Sequence, residues 1–151
     1  MKHLIRTSAA IGLAFAAGIA AGHVPQIARA ATAPLQPAGF DLAAMSAADL
    51  PAPGAATPNL RSKTLVVADG ATVAVQLGTV FKHMHQDANE IQVVLSGSGT
   101  EWLGDHQVAL KPGMMIVIPA GTAHGGTTDS NLKVVSLKTP PQAATDIHPL
   151  P

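Results

Sequence analysis

From Arg61 onward, short apolar runs alternate with turn residues. The runs are SKTLVVA (62–68), TVAVQLGTVFKHMH (72–85), EIQVVLS (90–96), TEWLG (100–104), HQVAL (106–110), MMIVIP (114–119) and LKVVSLK (132–138). Between them stand DG, GSG, GDH, KPG and PAGTAHGG. Runs rich in Val, Ile, Leu and Thr, closely spaced and bounded by Gly and Pro, predict an all-β antiparallel sandwich or barrel. No helical pattern separates them, which argues against parallel βαβ units.

Alternation then sorts the faces. In EIQVVLS, Glu90, Gln92 and Val94 share one face, and Ile91, Val93 and Leu95 the other. MMIVI is apolar on both faces, so Met114 and Met115 read as core. A strand with two apolar faces needs cover on both sides. In so short a chain that cover is an N-terminal arm or a second copy, and a homodimer is expected.

The rest of the chain divides around this β-rich region. Lys2 and Arg6, the apolar stretch 8–22, and Ala28 and Ala30 flanking Arg29 have the form of a cleavable export signal over 1–30. The apolar stretch is 15 residues, short of the roughly 20 that span a bilayer. The expectation is a periplasmic or secreted protein without stable membrane insertion after cleavage. Residues 31–59 are rich in Ala and Pro and read as an arm or linker. Within them FDLAAMSAADL (40–50) offers a short helix capped by Ser46 or Asp41, or a disordered tether. The barrel is expected over 60–140, with a C-terminal tail at 141–151.

Composition narrows the chemistry. The chain has 151 residues, enough for one domain, and no cysteine. Disulfides and thiolate metal sites are therefore absent. Nine Lys and Arg face nine Asp and Glu. Cleavage after Ala30 removes three of the positive residues and none of the acids, which leaves a mildly acidic chain. There is no basic patch, which argues against nucleic acid as a partner.

The candidate chemistry lies in HMHQDANE (83–90). On one strand Phe81, His83 and His85 share a face, while Lys82 and Met84 point the other way. The QDAN segment turns the chain, and Glu90 opens the next strand facing the same point. His124 follows a Pro-x-Gly turn at Pro119–Gly121 and faces back toward a barrel mouth.

These residues resemble the cupin superfamily, a small jelly-roll or double-stranded β-helix barrel. Its first motif runs glycine, His-x-His, glutamate, glycine, and Gly78, His83, His85, Glu90 and Gly97 fall on it. Gly78 is one residue closer to the histidines than the family pattern has it. The second motif runs glycine, Pro-x-Gly, histidine, asparagine. Gly113, Pro119, Gly121 and His124 match, and Thr128 stands in place of the asparagine. The resemblance covers about residues 60–138. It implies a cupin-type barrel and a divalent transition metal held by His83, His85, Glu90 and His124. Three imidazoles and a carboxylate suit Fe, Mn, Zn, Cu or Ni without choosing among them.

Other side chains are placed around that site. Gln92 points into the same cavity, as support for Glu90 or as a substrate contact. Phe81, Val75, Leu77 and Val94 read as a dry wall or as plain core. Glu101 and His106 flank a hairpin, where either could serve as an acid or base but such residues are usually just solvated; His148 reads as solvent-exposed, and Trp102 as core or interface. Arg61 is the only arginine beyond residue 30, so no bidentate phosphate clamp is present and nucleotide-sugar chemistry is disfavoured.

No general acid or base is assigned. The family analogy favours an enzyme on a small organic molecule, first an oxygen-using oxidoreductase of the dioxygenase kind and next a metal-assisted lyase or isomerase. A non-enzymatic metal- or ligand-binding protein, and a structural dimer whose metal merely ties the barrel together, are the other readings.

Overall fold

The computed structural model describes residues 35–68, 70–127 and 130–151. The export signal expected at 1–30 and the departure at Thr128 lie outside these residues. The described residues form nine strands: β1 (Leu60–Ala68), β2 (Ala71–Gly78), β3 (His83–Met84), β4 (Asn89–Leu103), β5 (His106–Leu110), β6 (Met115–Ile118), β7 (His124–Gly126), β8 (Asn131–Thr139) and β9 (His148–Pro149). No helix among them is long and apolar enough to cross a membrane.

All pairings are antiparallel. One sheet places β1, β2, β8, the first half of β4 and β6 side by side. The other joins the second half of β4 to β5 and β7, then β7 to β3 and β3 to β9. The shared strand β4 curls the sheet into a half-barrel. Val94, Leu110, Ile116, Ile118, Leu132 and Val134 form its buried apolar core. Each such side chain contributes roughly 1.5–3 kcal/mol of burial.

Two sequence expectations fail at glycines. The run 72–85 is not one strand, because β2 ends at Gly78 (φ +107), where a Cβ would lie 2.1 Å from the Asn59 carbonyl oxygen. The chain crosses there and re-enters a sheet only at His83. Conversely, GSG (97–99) is no turn, and β4 runs straight through it. Gly97 (φ +86) passes so close to Asn131 that a Cβ would sit 1.7 Å from its carbonyl oxygen. Just before it, pairing with β8 slips between Val94 and Ser96, a bulge that inserts one residue. The slip reverses which side chains face inward, so odd-numbered residues of β4 point in beyond it.

The strand β6 corrects a third expectation. Ile116 and Ile118 are buried, but Met115 and Val117 are 65% and 55% exposed. Met115 is therefore not core in the single chain, whereas Met114 packs against the core. On the outer sheet face Met115 lies opposite Val93, and Val117 opposite Ile91.

The arm covers another part of that outer face. Ser46 caps a single 3-10 turn (Ala47–Asp49) in a reciprocal bond pattern with Asp49. The Lys133 ammonium donates to the carbonyls of Leu42, Ala43 and Met45 at 2.9, 2.9 and 2.6 Å. Arg61 donates to the carbonyls of Leu50 and Pro51. Leu50 is buried, and Val75 in β2 is wholly inaccessible. The segment 141–151 is not a free tail either. Its β9 pairs with β3, with His83 opposite Pro149 and Met84 opposite His148.

Candidate metal centre

The strands bring His83, His85 and His124 to one point. His83 and His124 are direct partners across β3 and β7, with ring centroids 4.2 Å apart. The Gly121 N–H, in the Pro-x-Gly turn, donates to the His85 carbonyl at 2.7 Å and fixes that turn over the first two histidines. One ring nitrogen from each histidine lies within 4.8 Å of the others, and all three residues are buried.

The tautomers follow from the partners. His83 Nδ1 lies 2.8 Å from the Phe81 carbonyl, and His124 Nδ1 lies 2.9 Å from the Thr122 carbonyl. His85 Nδ1 bonds the Asp146 carbonyl. A carbonyl only accepts, so each Nδ1 carries the hydrogen and each neutral ring presents an Nε2 lone pair. The Nε2 atoms of His85 and His124 are buried without a hydrogen-bond partner. They face Glu90 Oε2 at 3.3 and 3.4 Å.

Two states satisfy lone pairs facing a carboxylate: rings protonated at both nitrogens, or neutral rings around a cation. Burial, aided by the neighbouring His124, lowers the His83 pKa to about 4, so at least this ring is neutral at physiological pH. A metal ion satisfies the buried nitrogens and the carboxylate together. The residues present thus fit such an ion, with the three histidines and Glu90 as its holders.

Glu90 is 2% exposed. Burial would raise its pKa, but hydrogen bonds from His124 and His85 when those rings are protonated at Nε2, the Lys138 charge and the Ser136 hydroxyl outweigh this and hold the group far below the usual carboxylate range. Ser136 Oγ donates to Glu90 Oε1 at 2.6 Å, and Lys138 Nζ lies 3.5 Å from Oε2. Gln92 is buried beside them. Its Nε2 donates to Glu90 Oε1 at 3.2 Å and to Glu101 Oε1 at 3.4 Å.

Glu101 overturns the reading of a solvated hairpin residue. It is 5% exposed and faces inward because of the β4 bulge. Burial raises its pKa to about 7, with His124 pulling down and Glu90 pushing up. His106, across the hairpin, is exposed. Trp102 points the other way and lies under the Lys82 ammonium, 4.4 Å from the ring centre.

Other expected wall residues are elsewhere. Phe81 is 40% exposed, because the chain is not a strand there. Its carbonyl serves His83, and its ring meets the His83 ring edge-on at 5.7 Å. Val75 and Leu77 lie on the outer face of β2, since the inward positions are Ala74 and Gln76. Val94 is core. His148 is half-buried in β9, with Nε2 3.4 Å from Asp146 Oδ1.

Sequence reasoning missed Ser136 and Lys138, and it also missed Asp146. Its carboxylate accepts the N–H groups of Gln86 at 2.6 Å and Ala88 at 3.1 Å, and also that of Asp87. It thereby shapes the turn between His85 and Glu90. A cavity of about 190 Å³ opens beside the cluster, lined by His83, Glu90, Gln92, Lys138, Gln142 and Ile147, among others.

Residues 63–138, half of the chain, match the sequence model of the family described as Cupin domain. The chain belongs to the cupin family. No curated protein matches the sequence. Among solved structures, this cupin is similar to KdgF from Halomonas sp. (TM-score 0.50, 22% identity, covering 55% of this chain and 80% of that one). It is similar to the polyketide cyclase RemF from Streptomyces resistomycificus (TM-score 0.53, 21% identity, 63% and 73%). It is also similar to the Streptomyces nucleoside dehydratase Pac13 (TM-score 0.50, 18% identity, 61% and 78%). At these identities the likeness concerns the fold.

Proposed function

We propose that this cupin is an exported, metal-dependent enzyme that carries out lyase or isomerase chemistry on a small polar molecule. The observation that supports it best is the set of three Nδ1–carbonyl bonds around three converging histidines, two of which turn buried Nε2 lone pairs onto Glu90. A divalent ion held by His83, His85, His124 and Glu90 supplies a Lewis acid for a substrate oxygen.

The chain supplies the rest. Glu101 is a buried carboxyl that keeps its proton more readily than an exposed one, and Gln92 ties it to Glu90. That pairing of an acid with a metal-holding carboxylate favours proton transfer. The names dehydratase and cyclase, carried by two proteins of similar fold, agree with this class. An oxygen-using oxidoreductase, the reading favoured by sequence resemblance, would need the same ligands and a redox-active ion. Export is supported by residues 1–30, and a homodimer by the exposed Met115 and Val117.

Elemental analysis of the protein purified without chelator, beside His83→Ala, tests the metal. About one ion per chain, lost in the variant, is the supporting result, and none after reconstitution refutes it. Turnover of small hydroxylated compounds by the zinc-loaded protein without oxygen supports lyase or isomerase chemistry. Turnover that requires both iron and oxygen would establish the oxidoreductase instead.

A further inference from the structure

The cavity beside the metal centre meets a second one, of about 180 Å³, along Ser62, Gln76, Lys138 and Gln142. The second cavity is walled by the inward positions of β1, β2 and β8, adding the hydroxyls of Thr64, Thr72 and Ser136. It contains no carboxylate. Its one charge is Lys138, at the seam between the two spaces.

Lys138 is 13% exposed. Its ammonium faces Glu90 Oε2 at 3.5 Å and bonds the Gln142 side-chain oxygen, which leaves one of its three hydrogens for a guest. Glu90 is also the carboxylate that His85 and His124 face. Once that charge is committed to a divalent ion, Lys138 borders the cavity without a counter-charge of its own. Ion, Glu90 and Lys138 together then carry two positive charges, or one if Glu101 is ionised. A partly buried space of that sign concentrates anions.

The wall completes the description. The Gln76 amide, half-buried in β2, and the Thr72 hydroxyl have no side-chain hydrogen bond among the described residues. Amides and hydroxyls both donate and accept, as sugar-like hydroxyls require. We infer that the Lys138 seam binds the carboxylate of a small polyhydroxylated acid, whose hydroxyls lie along Gln76 and Thr72. This deepens the reading above and rests on its metal centre for the excess positive charge.

The test uses zinc-loaded protein and calorimetric titration with D-gluconate and D-gluconamide, which differ in charge and share their hydroxyls. The acid binds at least about tenfold more tightly than the amide, the worth of one charge-assisted hydrogen bond. In Lys138→Gln that ratio falls to near one while zinc content is unchanged. Equal binding of acid and amide by the wild-type chain, no binding of either, or a preference that survives in Lys138→Gln would overturn the inference. Zinc content of the same samples reports on the metal centre separately. A wild-type chain that takes up no zinc, yet shows the preference and loses it in Lys138→Gln, refutes the metal reading and supports the anion site.

Discussion

The carbonyl of Asp146 accepts the Nδ1 hydrogen of His85, 61 positions away in sequence. The same residue's carboxylate gathers the N–H groups of residues 86–88. One aspartate thus fixes both the tautomer of one candidate ligand and the turn that leads to the next. Asp146→Ala keeps the carbonyl but strips the turn of its acceptor. It should destabilise the protein by about 2 kcal/mol, the scale of hydrogen bonds to a charged group. Metal affinity should fall about 10–100-fold, as for lost outer-shell support. Thermal unfolding and a competitive zinc titration check the two effects.

Asp146 also predicts an acid sensitivity. Burial raises its pKa, but the three backbone N–H groups outweigh burial and lower it below the ordinary 3.8. A depressed acid stabilises the fold fully above the unfolded value and loses that contribution as pH falls through the folded one. Denaturant midpoints measured below pH 4 should drop more steeply for the wild type than for Asp146→Asn. Parallel profiles would contradict this.

Glu101 predicts the opposite sign. Its folded pKa is raised from 4.5 to about 7. Its contribution is therefore present below pH 4.5 and is lost as pH rises through 7. In metal-free protein, Glu101→Gln should gain stability relative to wild type across that window, by at most about 3 kcal/mol. The lowered pKa of His83 works against the trend in both proteins and cancels in their difference. Urea unfolding at pH 5 and pH 8 measures it.

Lys133 anchors the arm through three carbonyls. Lys133→Met should release residues 42–45 and speed protease cleavage there by about tenfold or more, equivalent to losing one or two net hydrogen bonds. Zinc content should not change, because residues 42–45 lie against Lys133 on the outer face of the sheet. Cleavage at an unchanged rate would show that Leu50 and Arg61 suffice to hold it.

The exposed pair Met115 and Val117, with Ile91 and Val93 opposite, predicts the oligomeric state. The chain should sediment as a dimer, and Val117→Lys as a monomer with its zinc content intact. A charge placed on a desolvated apolar interface has no partner there.

How much of this the sequence reveals depends on how local the cause is. His83, His85 and Glu90 lie within one short run, where alternation and a single turn aim them together, whereas His124 meets His83 only through the pairing of β3 with β7 and was placed by the resemblance to the cupin motifs. Glu101 was hidden because it flanks the hairpin EWLGDHQ beyond what reads as a GSG turn, and alternation carried through that run from Glu90 and Gln92 points it outward. One inserted residue between Val94 and Ser96 reverses the count, and nothing in VVLSGSG marks a bulge rather than a turn. Phe81 erred for a related reason, since Gly78 breaks the strand that would have aligned it with the histidines. Asp146 has no periodicity to betray it. Its partners are some 60 positions away, and PQAATDIHPLP reads as an ordinary tail.

That last feature bears on biosynthesis. A growing chain carries all four candidate ligands once His124 has been made, but the carbonyl that orients His85 arrives only with residue 146. The strand β9 that flanks His83 follows later still. Competent coordination would thus wait for the segment around residue 146 rather than for the candidate ligands alone. An ion held by these residues would then be selected where the chain completes its fold rather than where its ligands are made.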